Sequence, residues 1–313
     1  MKLKLCIVVP CYNEEEVLTI TSKTLLELLE RLISKNKIDD SSFLCLVDDG
    51  SCDTTWEIIK DLSQKNKNIR GIKFSTNFGH QNALLAGLLN MKDKSDCIVT
   101  IDADLQDDAN VIEEMLNKYN EGNEIVYGVR NNRESDSFFK RFTAHFFYKL
   151  MQAMKVKTVY NHADYRLASK RVLNEFARFN EVNLFLRGIF PTLGFRSANV
   201  FYKRSERVAG ETKYPLKKMI EFAWNGITSF SIYPLRLIFF LGLIIFLFSF
   251  LLILWAFLPI FEGEAVRGWA STVIPLFFFG GLQMICLGII GEYAGKIYKE
   301  IKARPRFIIE EEI

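Results

Sequence analysis

Two long stretches without a charged side chain, residues 237–258 and 268–291, constrain what this chain can fold into more than any other feature. They hold 22 and 24 residues, and about 20 apolar residues suffice to cross a bilayer as a helix. Each is apolar all round rather than along one stripe, which suits lipid better than the surface of a soluble core. The expectation is a two-helix transmembrane hairpin, about 235–258 and 268–291, behind a soluble N-terminal region. Lys213, Lys217, Lys218 and Arg236 precede it, and Lys296, Lys299, Lys302, Arg304 and Arg306 follow it. The loop between carries one basic residue, Arg267. Basic residues collect on the cytoplasmic side, so both termini are expected there and the loop outside. The opening run MKLKLCIVVPCYNEEE is too short in apolar residues for a secretory signal.

The remainder reads as a folded domain. Of 313 residues, 49% are hydrophobic and 25% charged, which excludes a disordered chain. The net charge of +3 is too small to advertise a nucleic-acid binder, and no nucleic-acid partner is expected. The six cysteines form no C-x-x-C pair, and the three histidines (His80, His145, His162) are too scattered for a zinc site. Reduced, buried thiols are the expectation.

Strand and helix patterns alternate through the first 130 residues. Strands are expected at 5–10, 43–51, 71–75, 97–106 and 124–130, and helices at 14–35, 54–64, 80–91 and 109–121. The strands are continuous apolar runs, as strands buried on both faces should be. Repeated strand–helix units predict a mainly parallel α/β sheet flanked by helices. Ligands of such sheets bind beyond the carboxyl ends of the strands. Asn13–Glu14, Asp48–Asp49 and Asp102–Asp104 all fall at those ends. Residues 137–155 mix phenylalanine and methionine at helical spacing with Lys140, Arg141 and Lys149, suiting either an interfacial helix or a packing helix. Residues 215–230 read as a second interfacial helix.

The acidic group DADLQDD (102–108) invites a hard divalent cation, Mg²⁺ or Mn²⁺, although Asp-x-Asp alone also serves as a turn or helix cap. Its setting is more specific. VVPCYNEEE, VDDGS, NFGHQNALLAG and DADLQDD follow one another at successive strand ends, and together they resemble family 2 glycosyltransferases with a GT-A nucleotide-sugar-binding domain. Further along, VNHADYRL, NLFLRG, ERVAGETKY, the two apolar stretches and GEYAGKIYKEIKARPRFII resemble the bactoprenol glucosyl transferase group, relatives of dolichyl-phosphate mannose synthase.

That resemblance implies inverting, metal-dependent transfer of a hexose, glucose from UDP-glucose, to undecaprenyl phosphate on the cytoplasmic face of the bacterial inner membrane. The product would be a lipid-linked donor for surface glycan modification. It implies a GT-A core over 1–136, an acceptor-side and interface segment over 137–230, and the hairpin with a cytoplasmic tail over 231–313. Donor contacts are implied at Pro10, Tyr12, Asn13, Glu14, Asp48, Asp49, Asp102 and Ala103. Metal ligands are implied at Asp102, Asp104 and Gln106. Acceptor-phosphate contacts are expected from Arg130, Arg141, Arg207 and Lys213, because guanidinium and ammonium groups match phosphate oxygens. Asp164 and Arg166 join Asp102 and Asp104 as catalytic candidates, with Asp164 expected to orient Arg166 or the acceptor more than to remove a proton. A homo-oligomer and a flippase partner are also expected. Two alternatives stand beside this reading. A processive polysaccharide synthase would carry a Q-x-x-R-W motif and more spans, neither of which occurs here. A non-catalytic nucleotide-sugar sensor would be expected to lose the Asp-x-Asp or the basic motifs, and both are present.

Overall fold

The computed structural model describes residues 2–131, 162–181, 184–203 and 269–313, with scattered helical positions between 235 and 247. In chain order these form β1 (Leu5–Cys11), α1 (Leu18–Ser34), β2 (Phe43–Asp48), α2 (Thr55–Lys65), β3 (Ile69–Phe74), α3 (His80–Met91), β4 (Cys97–Thr100) and α4 (Val111–Asn120). There follow β5 (Ile125–Arg130), β6 (His162–Ser169), α5 (Lys170–Phe176), α6 (Leu186–Thr192), β7 (Ser197–Tyr202), α7 (Trp269–Lys302) and β8 (Ile309–Glu312). The segments 137–155 and 215–230 and most of the first apolar stretch lie outside the described residues.

The eight strands form one sheet in the order β7-β5-β6-β4-β1-β2-β3-β8. Pairings β1–β2, β1–β4, β2–β3 and β5–β7 are parallel, while β6 runs antiparallel between β4 and β5, and β8 antiparallel along β3. This is the α/β class expected from the sequence. All seven residues of β1 and all six of β2 are buried, which explains why both read as unbroken apolar runs. Helix α3 lies against them so closely that a Cβ on Gly87 would come within 2.3 Å of Val8 Cγ1. Only glycine permits that approach.

Two expected strands end early. The 43–51 run leaves the sheet at Asp48 and the 97–106 run at Thr100. In the second, Leu105 adopts a left-handed conformation, φ 52°, and Asp104 Oδ1 accepts the Gln106 N–H at 3.2 Å, so side chains replace the ladder. Asp49, Asp102 and Asp104, expected on strands, therefore sit on loops just beyond them, while Asp48 closes β2.

The chain divides into two compact units, residues 1–223 with 304–313, and residues 224–303. In the second unit α7 runs 34 residues, about 51 Å at 1.5 Å per residue, continuing past the expected end at Gly291 to Lys302. Residues 278–302 are long and apolar enough to span a membrane, with mean hydropathy 1.3, and Leu276, Phe278, Met284 and Ile285 are exposed. In the first unit, residues after the helix return to the sheet as β8. A stretch expected as a plain tail thus supplies an edge strand.

Candidate active site

Strand direction gathers the site. β1, β2, β4 and β5 all point their carboxyl ends to one edge of the sheet, and antiparallel β6 begins there, since Thr100 at the end of β4 pairs with Arg166. Along that edge stand Tyr12, Asn13 and Glu14 after β1, Asp48 and Asp49 at β2, residues 101–108 after β4, Arg130 ending β5, and Asp164 near the start of β6.

The first two loops are tied together. Asn13, with φ 52°, donates its backbone N–H to Ser51 Oγ at 3.0 Å and accepts the Cys52 N–H on Oδ1 at 2.9 Å. The Glu14 N–H reaches Thr55 Oγ1 at 2.9 Å. A non-glycine residue in this conformation is strained, and such strain concentrates where a loop must hold one shape. Helix α1 starts at Leu18, and the Glu14 carbonyl accepts the N–H groups of Val17 and Leu18 at 3.1 and 2.9 Å, so Glu14 links this loop to the helix start. Tyr12 is 40% exposed, whereas Pro10 is buried within β1.

Asp49 is buried and accepts the N–H groups of Phe78 at 2.7 Å and Gly79 at 2.9 Å. It thereby fixes the loop that enters α3. Asp48 binds Ser51, and its Oδ2 is buried with no hydrogen-bond partner among the described residues. Burial raises the pKa of both acids against the pull of these hydrogen bonds. Gly50 makes the turn possible. Its φ is +66°, and a Cβ there would lie 2.3 Å from the backbone carbon of Thr76.

The third loop carries the concentrated charge. Asp102 keeps a side-chain exposure of 36% but stands among buried neighbours. Desolvation first, then repulsion from Asp107, Asp164 and Asp104, pushes its pKa up, while His80 pulls it down. His80 Nε2 lies 3.6 Å from Asp102 Oδ1. Ala103 is buried, its carbonyl accepting the Thr21 hydroxyl of α1 at 2.6 Å. The Gln106 side chain is also buried. Among the described residues no group of three or more His, Cys, Asp or Glu side chains forms a metal cage. Mg²⁺ needs none, since it is typically held by one or two carboxylates together with substrate phosphates and water. Burial, and behind it the repulsion from Asp107, Asp164 and Asp104, makes an ionised Asp102 costly, a cost that a divalent cation would relieve, so Asp102 and Asp104 fit that ion.

Two arginine networks border the acids. Asp107, buried on the same loop, accepts the Tyr202 hydroxyl at 2.6 Å and Arg130 Nη2 at 3.1 Å, and Arg130 Nε donates to the Tyr202 oxygen at 3.2 Å. Arg130, expected to meet acceptor phosphate, is thus engaged internally with Asp107 and Tyr202. In the second network, Asp164 Oδ1 accepts from Arg166 Nη2, and Oδ2 from Arg187 Nε and Nη2 at 3.1 and 2.9 Å. Burial works against the Asp164 charge, but Arg187 and Arg166 outweigh it and hold the carboxyl well below the usual carboxylate range. Arg166 is buried, with its guanidinium 4.6 Å from the Phe190 ring centroid. Arg141, Arg207 and Lys213, the other expected acceptor contacts, lie outside the described residues.

Sequence reasoning did not single out Arg187, Asp107 or Tyr202 as site residues. Arg187 had a signal, a lone charge inside the apolar run NLFLRGIF. Tyr202 had none, because its partner Asp107 is 95 positions away.

Comparison with known proteins shows the family of the chain. Residues 6–176 match the family model described as Glycosyl transferase family 2. The chain is 53% identical over 306 residues to the glycosyltransferase YkoT of Bacillus subtilis, across 98% of this chain and 91% of that protein. It is 38% identical over 310 residues to the prophage bactoprenol glucosyl transferase homolog of Escherichia coli, across 98% and 99% of the two chains. The bactoprenol glucosyl transferase of Shigella phage SfX is likewise 38% identical over 310 residues, with the same coverage.

Proposed function

This chain belongs to glycosyl transferase family 2, and on that premise we propose that it transfers glucose from UDP-glucose, with inversion, to undecaprenyl phosphate at the cytoplasmic face of a bacterial membrane. The observation that carries the reading is similarity to bactoprenol glucosyl transferases across 98% of this chain, including the stretches beyond the sheet.

The carboxyl-edge geometry supports a division of labour. Tyr12, Asn13, Glu14, Asp48 and Asp49 form the nucleotide side, with Asp49 and Asn13 holding loops and Tyr12 offering an exposed ring to a base. Pro10 and Ala103 shape that side through backbone, being buried themselves. Asp102, Asp104 and Gln106 would hold Mg²⁺ or Mn²⁺. A divalent cation there supplies charge to the departing diphosphate. Residues 1–136 then act as the donor-binding core, 137–230 as the acceptor side, and 231–313 as anchor and returning strand.

The acceptor chemistry asks little of a base. A phosphate monoester has a second pKa of about 6, so its oxygen is mostly ionised near neutrality. A carboxyl held as acidic as Asp164 is a poor proton acceptor, which supports an orienting role for it and Arg166. Two features support a membrane anchor: the exposed apolar surface of α7, and the return of residues 304–313 to the unit that holds the sheet. A chain that leaves one folded unit and comes back to it crosses an intervening membrane an even number of times, which suits a hairpin. We extend the reading to cytoplasmic termini, a homo-oligomer and a flippase that consumes the lipid product.

The test is incubation of purified full-length protein with undecaprenyl phosphate and each of several UDP-sugars, followed by mass analysis of the lipid. One hexose added from UDP-glucose is expected. Transfer from a different UDP-sugar would replace glucose, and no lipid product from any of them would overturn the reading.

A further inference from the structure

Asp164 holds two guanidinium groups, although Arg166 alone would neutralise it. Arg166 keeps 2% side-chain exposure, whereas Arg187 keeps 31%. Of the two guanidinium groups on Asp164, the one that meets solvent is Arg187. Its placement is set through the residue before it. The Leu186 N–H donates to Gln81 Oε1 at 3.0 Å, and the Leu186 carbonyl accepts Arg166 Nη1 at 3.2 Å. The start of α6 is thus pinned between α3 and β6. Gln81 follows His80, whose ring stands 3.6 Å from Asp102. One turn of α3 therefore touches both the acidic loop and the arginine clamp.

We propose that Arg187 receives the phosphate of the lipid acceptor, with Asp164 as its anchor and Gln81 as the tie that sets its position relative to the acidic loop. This rests on the lipid-phosphate reading given above. An arginine oriented by a carboxylate is ordered before the ligand arrives, so less conformational freedom is lost on binding. In the reaction a phosphate oxygen forms the new bond to the anomeric carbon, and the bond from that carbon to the UDP oxygen breaks. The bonding pair leaves with UDP, and no proton moves when the acceptor is dianionic. An acceptor clamp fixed to the donor-side acids through Gln81 keeps the attacking oxygen opposite the leaving group.

The test is steady-state kinetics of the full-length protein and its Arg187→Gln, Arg187→Lys and Gln81→Ala variants, varying undecaprenyl phosphate and UDP-glucose separately, with thermal midpoints recorded alongside. Arg187→Gln should raise the KM for the lipid about 10- to 100-fold, the loss of one charge-assisted contact, with little change in the KM for UDP-glucose. Arg187→Lys should restore part of that loss and keep a near-normal midpoint, which covers the case in which the glutamine variant folds poorly. Gln81→Ala should shift the lipid KM in the same direction by less. If the UDP-glucose KM rises instead, Arg187 holds the donor diphosphate and the proposal fails. If the midpoint falls with both KM values unchanged, the arginine is structural and the proposal fails. A wild-type protein that transfers to no polyprenyl phosphate overturns the parent reading, whereas wild-type transfer with an Arg187-independent lipid KM overturns this inference alone.

Discussion

A carboxylate that accepts hydrogen bonds from two arginines binds a proton weakly, because protonation would leave two cations facing a neutral group. Asp164 is in that position between Arg166 and Arg187. Its pKa is lower in the folded chain than in the unfolded one. Its stabilising contribution is therefore complete above the unfolded value of about 3.9 and shrinks as pH falls below it. At working pH it is an anion throughout. Asp164→Asn should accordingly lower turnover at every pH between 6 and 9, with no recovery as the lipid phosphate becomes fully dianionic. Recovery of wild-type turnover at high pH would make Asp164 the base. Gly50→Ala probes the other side of the site. It combines a positive φ with a backbone clash against Thr76, and should cost at least about 1–2 kcal/mol, read as a lowered unfolding midpoint. An unchanged midpoint would mean that the turn can relax. At this scale the sequence was readable where chemistry is local. Asp102 and Asp104 stand at a strand end, and alternation alone put them in one site. Arg187 meets Asp164 across 23 positions only because α6 docks against β6, and no local pattern records that docking.

Elements were legible in proportion to how much of their surface is buried. Helix α3 lies where the HQNALLAGLLNM pattern put it, 80–91, because its apolar residues pack directly on β1 and β2. Strand β8 reads as Ile-Glu-Glu-Glu, an exposed acidic run that suggests no strand. What makes it one is its partner. Gly71 and Ile313 exchange backbone hydrogen bonds at 2.9 and 3.0 Å, Glu310 pairs with Lys73, and Glu311 with Lys60 and the Trp56 Nε1–H. Just before it, Phe307 stacks on Phe74 with centroids 5.1 Å apart, and Phe74 meets Phe78 edge-on at 5.7 Å. Phe78 is one of the two residues whose N–H binds Asp49. The returning segment therefore braces the loop that enters α3, which the proposal assigns to the nucleotide. Phe307→Ala should cost about 1–2 kcal/mol of stability and weaken UDP-glucose binding, measured by thermal midpoint and by titration. Deleting 304–313 should weaken nucleotide binding as well as lipid transfer. A deletion variant that binds UDP-glucose normally would show that β8 is decorative.

At the scale of the whole chain, the sheet belongs to one compact unit and the long apolar helix α7 to another. The start of α7 was legible from composition, since charge-free length is a one-dimensional property, but its charged last turns to Lys302 were not. That the chain then re-enters the sheet was not evident, because edge-strand pairing depends on an approach across more than 200 positions. The proposed hairpin makes a testable demand, that the loop near position 263 lies outside and both termini inside. A cysteine replacing Gly263 should therefore be labelled from outside intact cells, with terminal tags labelled only after permeabilisation. Labelling of position 263 only after permeabilisation would contradict a hairpin. The central claim is that the acidic carboxyl edge transfers a hexose to lipid phosphate with a divalent cation. Its most direct test measures labelled hexose transfer from UDP-glucose to undecaprenyl phosphate by the wild type and Asp104→Asn, in EDTA and after Mn²⁺ is restored. The account predicts wild-type transfer that stops in EDTA and returns with Mn²⁺, and a variant that stays inactive in both. Full wild-type transfer in EDTA, or undiminished transfer by Asp104→Asn, would contradict it.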